Sequence, residues 1–164
     1  MKIMLEETLR EIMHVRGLTL ATAESCTGGL IGHRITSVSG SSDYYLGGVV
    51  AYSNEVKIRE LGVNADMLNR LGAVSEEVAR QMACGVRKRF NSDYGLSVTG
   101  IAGPAGGTPE KPVGLVYVAV ADKTRAWARR FCFASDRSTN KTWSSQMALD
   151  LLRRRLQGLL TDEP

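Results

Sequence analysis

Residues 18–36 read LTLATAESCTGGLIGHRIT, and the change of pattern inside this stretch decides the fold. Leu18 to Ala23 is a short apolar run with threonines, the make-up of a buried strand. From Cys26 or Thr27 onward the spacing changes, and Leu30, Ile31, Arg34 and Ile35 gather on one helical face. A strand that runs straight into a helix is the repeating step of an α/β sheet.

The flanks fit the same architecture. Leu5, Leu9, Ile12 and Met13 recur at helical spacing, and Arg16-Gly17 closes that helix. Gly47 to Tyr52 reads as a strand, after which Ser53 caps a short helix reaching Leu61. Gly62 to Gly72 shows no regular pattern. Ser75 caps a helix with a core face of Val78, Met82, Val86 and Phe90. Tyr94 to Thr99 is a strand, and the Gly/Pro run from Gly100 to Pro109 is a loop. Residues 113–120 and 125–133 form two antiparallel strands, and a final helix runs from about Ser138 to Leu160. The order predicts a mixed sheet with helices on both faces, in a single domain spanning residues 1–164.

With 164 residues, the chain falls in the usual range of about 100–200 for one domain. Hydrophobic residues make up 43% and charged residues 23%, which argues against disorder. The net charge of +4 raises the expectation of an anionic ligand only slightly. No basic stripe interleaved with aromatics is present, so nucleic acid is not an expected partner. Arg153-Arg154-Arg155 reads as a solvated helix face. No apolar run approaches the roughly 18 residues of a membrane span, and no signal peptide is apparent. Cys26, Cys84 and Cys132 are odd in number and widely spaced. A reducing cytoplasm is therefore expected, with neither disulfides nor a zinc site.

Four places could carry chemistry. Ala23-Glu24-Ser25-Cys26-Thr27-Gly28-Gly29 lies at the strand-to-helix junction, where open α/β sheets bind ligands. Free amides at a helix start can receive an oxyanion, and Gly28 and Gly29 leave the approach open. Ser25 would stand beside those donors as a nucleophile. By spacing alone, a serine cap followed by packing glycines is the favoured reading of the stretch. Cys26 is a rival nucleophile, or simply a small buried residue.

Tyr52 and Lys57 form the second place. A desolvated lysine can lose its proton and activate a serine without histidine, although a surface Glu–Lys helix reads the same way. The third is the loop beginning at Thr99, with Gly100, Ile101, Ala102 and Gly103, which would overhang the sheet edge that holds Ser25. The fourth is Arg137, which could grip an anion or pair with Asp136.

The segments AESCTGG (23–29), GGVVAYSNEVK (47–57), GAVSEEVA (72–79), SVTGIAGPAGG (97–107) and KPVGLVYVA (111–119) together resemble the C-terminal domain family of the competence/damage-inducible protein CinA. The resemblance covers nearly the whole chain. It implies a three-layer α/β/α sandwich with a mixed, mostly parallel sheet of about five strands. It also implies hydrolysis of nicotinamide mononucleotide to nicotinate mononucleotide and ammonia, as in the pyridine nucleotide cycle. No metal and no cofactor are implied.

Under this resemblance Ser25 matches the nucleophile, and Tyr52 and Lys57 match the groups that assist it. Cys26, Thr27, Gly28, Gly29, Thr99, Gly100, Ile101, Ala102 and Gly103 face the substrate, with Arg137 and Lys141 toward its phosphate. The longer family members carry a further N-terminal domain, and the resemblance is to the stand-alone form. The family pattern G-D-R-x-x-V-R stands here as Ser135-Asp136-Arg137-Ser138-Thr139-Asn140-Lys141, with serine in place of the glycine and lysine in place of the second arginine. Lysine keeps the charge but loses the bidentate fork. The departure leaves an alternative: an inactive paralogue that binds nucleotides or regulates. Edge strands of such sheets often pair across a two-fold axis, which allows a homodimer.

Overall fold

The computed structural model describes residues 4–160. The chain runs α1 (Leu5–Arg16), β1 (Leu20–Glu24), α2 (Leu30–Thr36), β2 (Tyr45–Val50), α3 (Asn54–Leu61), α4 (Ala65–Leu71) and α5 (Glu76–Phe90). It continues through β3 (Tyr94–Gly100), β4 (Leu115–Ala121), β5 (Ala126–Cys132) and α6 (Arg137–Leu156). The strands form one sheet in the order β2-β1-β3-β4-β5.

Most strand ends shift by one or two residues from the sequence reading, β2 running Tyr45–Val50 rather than Gly47 to Tyr52, and three differences among the helices are larger or have a clear cause. Helix α2 starts at Leu30 because Gly28 and Gly29, at φ 62° and 103°, are left-handed and cannot open a right-handed helix. Helix α4 fills the stretch expected to be irregular. The Asn64 carboxamide oxygen accepts the Met67 amide at 2.8 Å and starts that helix. Helix α6 ends at Leu156, four residues short of the expected Leu160.

The three-layer sandwich is present, and its five-stranded sheet is mixed: four strands point the same way and β4 alone runs against them. Strand β1 pairs in parallel with β2 and β3, whereas β3–β4 and β4–β5 are antiparallel. Parallel neighbours need a long crossover, usually a helix. The Gly/Pro segment after β3 supplies no helix, so the chain turns back and β4 pairs antiparallel.

Side-chain alternation along the strands divides the core. Leu20, Leu96, Val98, Val116, Val118 and Val120 pack against α1, α2 and α6. Ala21 and Ala23 face α3, α4 and α5 on the other side. Ala79 and Ala83 of α5 rest on Ala119, Ala121 and Ala128. The α5 face is lined with small residues because the helix backbone comes very close. A Cβ placed on Gly95 would lie 2.0 Å from the Ala83 carbonyl oxygen. The Ser97 hydroxyl donates to the Ala79 carbonyl at 2.6 Å across the same seam.

The three arginines in the last turn of α6 are engaged in ion pairs. Arg153 and Arg154 reach Asp150, and Arg155 reaches Asp122, each at 2.7 Å. Among the described residues, no helix is long and apolar enough to cross a membrane.

Candidate active site

Strands β1, β2 and β3 run in parallel, and their carboxyl ends meet at one edge of the sheet. Ser25 follows β1, Tyr52 follows β2, and Gly100 ends β3. The chain leaves β1 toward β2 on one side, while β3 lies on the other. A cleft of about 270 Å³ opens at this switch point. Of the residues singled out in the sequence, Ser25, Cys26, Tyr52, Lys57, Thr99, Gly100, Ile101, Ala102, Gly103 and Arg137 line it, and Thr27, Gly28, Gly29 and Lys141 do not. Asn54, Ala73, Val74, Ala105 and Gly106 complete the lining. No residue in the lining carries a carboxylate.

The sequence places Ser25 and Lys57 far apart, and the fold joins them. Lys57 sits one turn into α3, whose Ser53 cap accepts the Val56 amide at 3.2 Å. The lysine side chain runs inward and is 1% exposed. Its Nζ lies 3.0 Å from Ser25 Oγ, 2.8 Å from the Ala51 carbonyl oxygen and 3.3 Å from that of Tyr52. Two of these three partners are carbonyls, which can only accept. Once neutral, the amine has two hydrogens for the carbonyls and a lone pair left for the Ser25 hydroxyl. Burial pushes Lys57 below the ordinary lysine range. Among the described residues no carboxylate pairs with it.

Ser25 itself is 8% exposed, and its amide donates to the Val98 carbonyl at 2.9 Å. That bond ties the turn to the middle of the sheet.

The turn after Ser25 is not the anion-receiving helix start that the spacing suggested. Glu24, 2% exposed, occupies that position from within. Its Oε1 accepts the Ile31 amide at 2.8 Å and its Oε2 the Gly32 amide at 3.0 Å. The carboxylate therefore satisfies the first turn of α2 and closes residues 25–29 into a tight bend. The Gly28 amide is also engaged, donating to the Ser25 carbonyl at 3.1 Å. Gly29 stands at the α2 start, outside the cleft lining. Thr27 is 1% exposed, and its hydroxyl has no partner. The Thr27 amide has no acceptor among the described residues, and the Cys26 amide meets only its own sulfur. These are the two amides that directly follow Ser25 in the turn.

Tyr52 enters differently from expectation. Its carbonyl, not its phenol, touches Lys57. The side chain is 62% exposed, and its hydroxyl accepts Arg137 Nη2 at 3.1 Å. The other terminal nitrogen of Arg137 donates to the Gly103 carbonyl at 2.7 Å. Arg137 thus turns away from Asp136, which caps α6 by accepting the Thr139 amide at 3.0 Å. Lys141 lies behind the lining, with Nζ 3.8 Å from where a Gly28 Cβ would stand. The Thr99 hydroxyl donates to the Ala73 carbonyl at 2.8 Å, so it holds the wall together.

Burial raises the Cys26 thiol to about 12, against the opposing pull of its own amide. A protonated thiol is a poor nucleophile, which removes Cys26 as a rival to Ser25. Brief treatment with iodoacetamide at pH 7.5 should modify exposed Cys132 and spare Cys26, as read by peptide mass mapping. Early labelling of Cys26 would reopen the thiol reading. No group of three metal-ligating side chains occurs among the described residues.

Fold and cleft together define a three-layer α/β/α domain with a serine–lysine pair at the carboxyl edge of its sheet. Residues 2–156 match the CinA C-terminal domain model, and the chain belongs to that family. A CinA-like protein of Salinibacter ruber is 54% identical over 154 residues, covering 94% of this chain and 37% of the relative. A CinA-like protein of Citrifermentans bemidjiense is 54% identical over 152 residues, covering 93% and 37%. The chain spans a little over a third of the length of these curated relatives. The solved competence damage-inducible protein A of Klebsiella pneumoniae superposes with a TM-score of 0.90 at 33% identity, covering 93% of this chain and 95% of that one. The competence/damage inducible protein CihA of Agrobacterium tumefaciens gives 0.88 at 38% identity, covering 96% and 99%.

Proposed function

We propose that the cleft hydrolyses the carboxamide of nicotinamide mononucleotide, giving nicotinate mononucleotide and ammonia. The observation that carries this reading is the 3.0 Å contact between Ser25 Oγ and a buried Lys57 whose other partners are both carbonyls. Neutral Lys57 takes the Ser25 proton as the hydroxyl oxygen bonds to the carboxamide carbon. The Cys26 and Thr27 amides face the oxyanion. As the tetrahedral intermediate collapses, the C–N bond breaks and Lys57 returns the proton to the departing nitrogen, which leaves as ammonia. A water molecule then gives a proton to Lys57 and attacks the acyl-serine ester. The carboxylate leaves, and the proton returns to Ser25 Oγ.

Charge fits an anionic substrate. Arg137 stands at the rim and Lys141 behind the turn, with no carboxylate in the lining to oppose them. They are assigned to the nucleotide phosphate.

Purified protein mixed with nicotinamide mononucleotide should release ammonia and nicotinate mononucleotide in a one-to-one ratio. Saturable binding without either product would turn the assignment to a nucleotide-binding protein. Absence of both binding and product would remove this substrate.

A further inference from the structure

Asn140 is 0% exposed in the second turn of α6, outside the cleft lining. Its Nδ2 donates to the Ala102 carbonyl at 3.1 Å and to the Ser135 carbonyl at 2.9 Å. Both hydrogens of the amide are therefore spent on main chain. Its Oδ1 is buried with no partner. Leaving a buried acceptor unsatisfied is costly, and an apolar residue would not incur that cost. What the carboxamide supplies in return is two donors that hold the substrate loop to the start of α6.

The neighbouring loop carbonyl, Gly103, is held by Arg137. Arg137 is also the rim cation that would meet an anionic substrate. An arginine that reorients toward a phosphate can release the Gly103 carbonyl or the Tyr52 phenol. Asn140 carries no charge, is fully buried and has no such second task.

The geometry points to Asn140 as a positioning residue: it keeps Ala102 and Gly103 at the cleft wall while Arg137 turns to the anionic end of the substrate. This rests on the proposed substrate only for its effect on KM; the effect on the loop does not depend on it.

The test is Asn140→Leu in the full chain, which removes the donors at similar side-chain size. Amide hydrogen exchange in residues 101–109 should become about tenfold faster, the scale of one lost hydrogen bond, with β1 and β3 unchanged. KM for nicotinamide mononucleotide should rise about tenfold while kcat stays within about threefold. A lower melting temperature with wild-type loop exchange and KM would overturn the proposal, as would a fall in kcat at constant KM.

If Asn140→Leu does not fold, Asn140→Asp replaces it. Its carboxylate repels both carbonyls, so loop exchange should exceed wild type. The excess should shrink on acidification, when the protonated acid regains one donor; an excess that does not depend on pH would overturn the assignment. Faster loop exchange in a protein whose wild type neither binds nor hydrolyses the nucleotide would reject the substrate and leave the positioning role standing.

Discussion

Lys57→Met should cut turnover by about a thousandfold or more, the scale of a lost general base that also orients the nucleophile. The side chain keeps its length and burial, but Ser25 Oγ loses the one amine that bonds it among the described residues. Ser25→Ala should be as damaging to turnover. The two variants separate in their response to pH.

In the proposed mechanism, Lys57 must be neutral to act. Activity should therefore rise with pH through the Lys57 pKa, which burial holds below the ordinary value of 10.5. Stability should follow the same group. Between the lowered folded-state pKa and 10.5, the unfolded chain binds more protons than the folded one. Unfolding free energy consequently rises with pH across that window. Ser25→Ala keeps Lys57 and should keep this slope, whereas Lys57→Met should lose it. Denaturant titrations at several pH values, run beside the rate profile, would show both. A Lys57→Met protein that retains near wild-type turnover would sink the serine–lysine mechanism.

Gly95→Ala should destabilise the fold by about 3 kcal/mol or more, at the upper end for inserted methyl groups. The new Cβ would meet the Ala83 carbonyl oxygen at 2.0 Å and the Arg87 Cβ at 2.9 Å. Neither the main chain of a central helix nor that of a central strand can yield, so α5 would have to lift from β3. For a chain of this length that is a fall of roughly 6–12 °C in melting temperature. Gly62→Ala is the control. Its φ is left-handed, at 66°, unlike that of Gly95, and nothing lies within 4 Å of the added atom. Its cost should be only about 1–2 kcal/mol of backbone strain. Equal losses in the two variants would show that the α5 seam is not the constraint.

Much of the fold is visible in periodicity. The strand-to-helix change near Ser25, the Ser53 and Ser75 caps and the hairpin of β4 and β5 are local patterns, and the elements form there. Local pattern fails where a distant group decides. Nothing within residues 25–29 shows that Glu24 would fold over onto the amides of Ile31 and Gly32, so the helix start was placed too early. Asn64 did carry the signal for α4, but Gly62 and Gly72 flank it and the helix buries a single residue, Leu68, which obscures the pattern.

For the site, residue types suggested a serine, a lysine and a glycine-rich loop. The contact joining Ser25 to Lys57 depends on β1 and β2 lying side by side, which spacing along the chain does not encode. Asn140 had no local signal at all, because its partners are loop carbonyls rather than side chains.

Lys57 takes its direction from the peptide oxygens of residues 51 and 52. Every amino acid supplies such an oxygen. The base is therefore insulated from most sequence drift at those two positions, as long as strand β2 keeps its path. A catalytic histidine steered by a carboxylate side chain loses its orientation through one substitution in the partner. Here the corresponding partner cannot be deleted by exchanging a side chain. Mutational scanning of positions 51 and 52 should consequently report on packing and on substrate contact, and leave the aim of the amine untouched.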